Sequence, residues 1–239
     1  MRLIGVGMGP GDPELVTVKA VRVLSEADRV FVPVLDGTDT GRAEATVRAH
    51  AGHDRIERLV FALNERTDAA RRERHWDAAG ARIVEWLRAA GGTAAFATIG
   101  DPNVYSTFTY LSQTVHALLP EAVIETVPGV TAMQALAAAA NVPLSEGTEP
   151  LTLLPLARGG VAPLREALAN DGSVVVYKAG RHLSEVAEAV KEAGREAVLG
   201  THLGLPDERV DRLSDVDGAA PYLSTVFVPA VRTSRGGKI

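Results

Sequence analysis

Cysteine is absent from the 239-residue chain, which excludes a disulfide framework and a thiolate nucleophile and argues against secretion. A basic excess is also missing. Lys and Arg number 25 against 30 Asp and Glu, for a net charge of −5, so the electrostatic footprint of a nucleic-acid binder is not there. Aromatic residues make up only 5%, and Ala and Val carry much of the apolar content. Such a core suits helices packed on a sheet. No apolar run approaches the roughly 18 residues of a membrane span. The start, Met1-Arg2-Leu3-Ile4-Gly5-Val6-Gly7, meets glycine too early for a signal-peptide core. These absences lead us to expect a cytoplasmic enzyme with neither a nucleic-acid nor a membrane partner.

The apolar fraction is 46% and the charged fraction 23%, ordinary for a globular chain. A chain of this length buries roughly 70–75% of its unfolded surface and needs no metal or disulfide to fold. Short apolar runs alternate with longer amphipathic stretches, the pattern of α/β architecture. Strands are expected at Leu3–Val6, Arg29–Val34, Ile56–Phe61 and Thr93–Ile99. Helices are expected at Leu15–Ser25, Arg42–Ala51, Thr67–Arg88 and Asn103–Leu118. Beyond a boundary at Pro120, strands are expected at Val123–Val127, Leu151–Pro155, Ser173–Tyr177, Glu196–Gly200 and Tyr222–Val228. Helices there fall at Val130–Ala140, Ala162–Leu168 and Leu183–Ala193. Two α/β domains, 1–120 and 121–239, are therefore predicted.

The first strand runs into Gly5-Val6-Gly7-Met8-Gly9-Pro10-Gly11-Asp12-Pro13. Glycines there permit tight turns and close approach of a ligand to the backbone. A dinucleotide fingerprint is one reading, with Asp36 after the second strand as the ribose acid. That would make the protein an NAD-dependent dehydrogenase or, third, a non-catalytic nucleotide sensor. Pro10 in place of the third glycine, and a helix that cannot start before about Pro13, count against it. Gly-Asp-Pro recurs at Gly100-Asp101-Pro102, again between strand and helix. Asp is a favoured N-cap and Pro suits the first helical position, so capping is the main reading of Asp12. Asp101 lies at the carboxyl end of a central strand, where α/β sheets place their ligands. A third turn, Val127-Pro128-Gly129-Val130-Thr131-Ala132, also joins strand to helix.

Together with Val176-Tyr177-Lys178-Ala179-Gly180, these segments resemble the tetrapyrrole methylases, in that family's order and over nearly the whole chain. The stretch from Gly100 through Tyr105 to Leu111 looks like the branch that methylates C20 of precorrin-2. The resemblance implies two α/β domains of the tetrapyrrole methylase fold with S-adenosylmethionine in the interdomain cleft. It implies cofactor contacts from Pro10, Ile99, Gly100, Asp101, Val104, Thr131, Ala132 and Lys178, and a homodimer. Thr201-His202-Leu203-Gly204 departs from the family pattern, where an acidic residue precedes Gly-Thr. The methyl donor is already electrophilic, so positioning is the protein's main task, worth roughly 7–11 kcal/mol. A base for the C20 proton would be Asp101, Tyr105 or His182. Tyr105 reads equally as packing on the helix it begins, and His182 as a solvent-facing helix start. Carboxylate arms on the substrate call for guanidinium groups, from a pool of Arg42, Arg66, Arg71, Arg72, Arg74 and Arg181. Arg181 is preferred, and Arg71–Arg74 reads as a solvated helix face. His50 and His53 have i, i+3 spacing but lack further ligand types, so no metal is expected. Cobalt-containing and metal-free substrates remain alternatives.

Overall fold

A computed structural model describes residues 1–36, 38, 40–61, 69–156, 160–221 and 223–233. The strands of the first half are β1 (Arg2–Gly7), β2 (Arg29–Val34), β3 (Ile56–Val60), β4 (Thr93–Thr98) and β5 (Val123–Val127). All pair in parallel, in the order β3-β2-β4-β1-β5. Both faces of such a sheet must be covered, and the strand residues alternate accordingly. Ile4, Val6, Val30, Val32, Ala95 and Ala97 pack with residues of α1 (Val18–Glu26) and α2 (Arg42–His50). Leu3, Phe31, Ala94 and Phe96 pack with residues of α3 (Ala69–Ala90) and α4 (Phe108–Leu118) on the other face.

The helix starts follow local chemistry. Thr17 caps α1 by accepting from the amide of Ala20, while Asp12 caps a separate 3-10 turn, Pro13–Leu15, through the amide of Glu14. The expected helix from Leu15 is thus split, and α1 proper begins at Val18. α4 begins later than the expected Asn103. Ser106 is buried, its hydroxyl bonds Thr98 at 3.0 Å and accepts from the Phe108 amide at 3.1 Å, so the chain turns into helix only there. Tyr105 precedes the helix with φ 49°, which corrects the expectation that it begins α4. The expected start of α3 near Thr67, and Arg66, fall outside the described residues.

The first compact unit runs to Thr131 and the second begins at Ala132. The boundary lies past Pro120 because β5 adds to the first sheet beside β1. In the second unit α5 (Ala132–Ala140), β6 (Leu151–Pro155), α6 (Ala162–Leu168), β7 (Ser173–Tyr177), α7 (Leu183–Glu192), β8 (Val198–Thr201), β9 (Arg209–Arg212) and β10 (Ser224–Val228) follow in order. The sheet order is β6-β7-β10-β8-β9, with β10 antiparallel to both neighbours. Val174, Val176, Val226 and Val228 pack with α6 and α7, and Val175 and Phe227 with α5. Arg195 binds the carbonyls of Asn170, Gly172 and Pro229, joining the chain before β7 to the end of β10. Among the described residues no helix is long and apolar enough to cross a membrane.

Glu44 of α2 is fully buried, and its carboxylate accepts from Arg58 of β3 at 2.7 Å and Arg48 at 2.5 Å. Burial alone pushes the Glu44 pKa up, but the hydrogen bonds and charges of Arg58 and Arg48 overcome it and hold the carboxyl below the usual carboxylate range. Its folded pKa is therefore below its unfolded one, about 4.3. The contribution is complete above that value and is lost as pH falls through the folded pKa. We predict that Glu44→Gln lowers unfolding free energy by about 2 kcal/mol at pH 7. That is less than the roughly 3–5 kcal/mol of a fully buried pair, because both guanidinium groups reach solvent. The deficit should shrink below about pH 4, as urea unfolding at several pH values will measure; a deficit constant with pH contradicts the assignment.

Candidate functional site at the carboxyl ends of the first sheet

All five strands of the first sheet point the same way, so their following loops gather on one edge. From β1 the chain leaves through α1 on one face toward β2. From β4 it leaves through α4 on the other face toward β5. The two crossovers depart in opposite directions between adjacent strands, which makes β1/β4 the topological switch point, where open α/β sheets bind ligands.

Three glycine loops meet there at van der Waals contact. A Cβ on Gly7 would come within 2.6 Å of the Gly129 amide nitrogen and 2.7 Å of the Gly100 carbonyl oxygen. A Cβ on Gly129 would strike that same carbonyl. Gly9 and Gly100 form an isolated antiparallel bridge, with the Gly100 amide donating to the Gly9 carbonyl at 2.7 Å and both residues near φ 70°. A Cβ on Gly100 would meet nothing within 4 Å, so the backbone faces open space at that point.

Asp101 fastens the arrangement. One carboxylate oxygen accepts from the Asn103 amide at 2.8 Å, and the other accepts from the Gly129 amide at 3.0 Å. The residue is 9% exposed. It caps no α-helix; it closes its own turn and ties the loop after β4 to the loop after β5. Beside it, Val104 donates its amide to the Asp101 carbonyl. Pro10 and Thr131 are buried and Ile99 half-buried, and these residues with Gly100, Asp101 and Val104 belong to the same three loops. The loop after β1 is held from behind by α2, where the Thr46 hydroxyl donates to the Gly11 carbonyl at 3.3 Å and His50 Nε2 lies 2.9 Å from the Pro13 carbonyl. His50 is thus engaged with backbone, and the His53 side chain is outside the described residues.

Asp36 accepts from the amide and hydroxyl of Thr38, and the 3-10 turn separates the first glycines from α1. The helix N-terminus that a dinucleotide pyrophosphate would require is therefore not at Gly9.

Of the remaining residues singled out from the sequence, Tyr105 follows Val104 on the loop after β4 and the others lie in the second unit. Tyr105 is 47% exposed, and partial burial pushes its phenol pKa up, which disfavours a phenolate base. Ala132 opens α5 in the second unit. Lys178 follows β7 at φ 61° and is exposed, as is Arg181. Between them Gly180 packs against the carbonyls of Ala220 and Pro221, which leaves no space for a side chain. His182 Nδ1 lies 3.2 Å from Glu185 Oε1 at the start of α7, so it sits at a helix start. One pairing went unread in the sequence. His202, at the carboxyl end of β8 with φ 51°, pairs through Nδ1 with Asp207. That partner favours a proton on Nδ1 and leaves Nε2 as acceptor. The only sequence signal for it was the departure at Thr201–Gly204 from the family pattern.

Residues 2–216 match the family described as Tetrapyrrole (Corrin/Porphyrin) Methylases. The chain is 34% identical over 237 residues to a Precorrin-2 C(20)-methyltransferase of Sinorhizobium sp, covering 95% of each. It is 30% identical over 233 residues to the Cobalt-precorrin-2 C(20)-methyltransferase of Salmonella typhimurium, again covering 95% of each. The fold is similar to the crystal structure of uroporphyrin-III C-methyl transferase from Thermus thermophilus complexed with S-adenyl homocysteine. There the TM-score is 0.63 at 24% identity, with 95% of this chain and 97% of that one covered. A match across most of the chain, with the glycine loops set in order along one sheet edge, means that this protein belongs to the tetrapyrrole methylases.

Proposed function

We propose that the protein transfers the methyl group of S-adenosylmethionine to C20 of precorrin-2, giving precorrin-3A in cobalamin biosynthesis. The observation that carries the reading is the end-to-end 34% identity to a relative of that name, on a sheet edge whose main chain is bare of side chains at Gly7, Gly100 and Gly129. The similarly extensive likeness to the cobalt-precorrin-2 relative supports a second reading, in which the same carbon is methylated on the cobalt-loaded ring. The same proposal takes the protein as a cytoplasmic homodimer.

The residues of the first unit fit the proposed donor. Open space at Gly100 lets a ligand approach the main chain there, and Pro10, Ile99, Asp101, Val104 and Thr131 belong to the loops around it. Ala132 and Lys178 are assigned to the donor by the resemblance alone. S-adenosylmethionine supplies an electrophilic methyl on a sulfonium. C20 of the reduced ring is enamine-like, so a C20–methyl bond forms as the methyl–sulfur bond breaks, and the C20 proton then leaves. The protein's part is to hold the two reactants in line and exclude competing geometries. For the proton, Tyr105 is disfavoured by its raised pKa. Asp101 and His182 are the other candidates that the resemblance offers.

Calorimetry should give saturable heat with S-adenosylhomocysteine and none with NAD; the reverse result ends this reading. Incubation with labelled S-adenosylmethionine and either metal-free or cobalt-containing precorrin-2 decides between the two substrates by which one gains a methyl group. Gly100→Ala puts a methyl into the open space at a positive φ that costs about 1 kcal/mol. We expect a folded protein whose S-adenosylhomocysteine affinity falls at least about tenfold. Unchanged affinity would show that the ligand does not approach Gly100. Asp101→Ala leaves two amides without their acceptor, at about 1–3 kcal/mol each if they stay buried, and should lower both thermal stability and affinity.

A further inference from the structure

α3 is 22 residues long, about 33 Å at 1.5 Å per residue, whereas the five- and six-residue strands β3 and β4 that it packs on span only about 17–20 Å. Its carboxyl end is fixed at the far edge of the sheet, where Gly91 and Gly92 lead into β4. The excess length therefore projects past the carboxyl edge, the edge of the glycine loops. The register with α4 agrees. Thr114 bonds Asp77 and packs on Gly80, and Trp76 stacks on Tyr110 at 4.1 Å with an interplanar angle of 3°. Tyr110 is in the first turn of α4, so residues 69–75 of α3 rise above that helix start.

On this overhang the Arg72 guanidinium lies 5.3 Å from the centre of the Trp76 ring. Arg71 and Arg74 flank it and are exposed. Tyr110 is 44% exposed and Tyr105, on the loop just above it, 47%. In a chain with only two tryptophans and four tyrosines, three of those six rings and a cluster of arginines stand along one stretch of one edge. A stacked ring pair topped by a guanidinium normally belongs in a core or an interface. Here Trp76 rests one face on the core of the first unit and is half-buried, while Tyr110 and the flanking Arg71 and Arg74 are exposed, in a protein whose net charge is negative.

We propose that Arg72, Trp76, Tyr110 and Tyr105 form a docking shelf for the rim of a polycarboxylated tetrapyrrole, the aromatic faces receiving the ring edge and Arg72, with Arg71 and Arg74, its carboxylate arms. The inference rests on the methylase reading above and names where that substrate sits. It also revises the reading of Arg71–Arg74 as a plain solvated face. A large, flat, polyanionic ligand needs apolar area and bidentate donors together, and on the first unit this is the stretch where they coincide beside the glycine loops.

The test titrates the full-length protein with uroporphyrin III, a stable tetrapyrrole octacarboxylate, at fixed ionic strength, followed by the shift of the porphyrin's main absorption band. S-adenosylhomocysteine affinity is measured in parallel. We expect saturable uroporphyrin binding that Arg72→Gln and Tyr110→Ala each weaken about tenfold, the size of one lost charge-assisted or stacking contact. Tyr110→Phe, which keeps the stack, should bind within about twofold of the unaltered protein, and S-adenosylhomocysteine affinity should not move in any variant. Uroporphyrin binding unaffected by Arg72→Gln and Tyr110→Ala, or absent while S-adenosylhomocysteine binds, overturns the shelf and leaves the methylase reading standing. Failure of the unaltered protein to bind S-adenosylhomocysteine strikes at the methylase reading itself. If Arg72→Gln changes self-association in sedimentation and not porphyrin affinity, the shelf meets a second copy of the chain, and the proposal is likewise overturned.

Discussion

Backbone packed directly on backbone is the constraint from which the first unit's chemistry follows. The loops after three neighbouring strands approach so closely that a single methyl group on Gly7 or Gly129 would strike the facing backbone, including the Gly100 carbonyl. Such contact has no side-chain hydrogen bonds of its own to hold it, and Asp101 meets that need by accepting amides from its own turn and from the loop after β5. A carboxylate is suited to this because it offers several acceptor sites and no donor. The consequence is a set of closely braced main-chain loops at the switch point of the sheet, with open space at Gly100.

The elements were largely legible because hydrophobic period and punctuation agreed. β2, β5, β6, β7 and α6 lie where the alternation and flanking Gly and Pro placed them. β9 went unread because Arg209-Val210-Asp211-Arg212 is a short polar edge strand whose pairing partner, β8, supplies the order; nothing in its own composition does. The start of α4 was misplaced because Ser106 reads as one more polar residue in a turn. Only the fold brings its hydroxyl against Thr98, which holds the chain out of the helix until Phe108. In the same way Pro120 looked like a boundary, yet a strand beyond it completes the first sheet.

The site was legible in part, and for a definite reason. Glycines and prolines advertise the loops, since few other residues satisfy those backbone angles. The pairings between loops are non-local and leave no trace along the chain. Asp101 reaching Gly129 is one such case, and Thr46 of α2 meeting the Gly11 carbonyl is another. The second Gly-Asp-Pro resembles the first in sequence, but Asp12 caps a 3-10 turn and Asp101 braces two loops. Identical tripeptides acquired different duties from what the sheet placed beside them.

The overhang of α3 carries a consequence for how such a protein can change. The contacts at the strand ends are made by main chain and leave no room for a side chain at Gly7 or Gly129, whereas the projecting turns of α3 and the first turn of α4 bear long side chains. Substitutions on that rim can therefore change its charge and shape while the backbone contacts beneath it stay as they are.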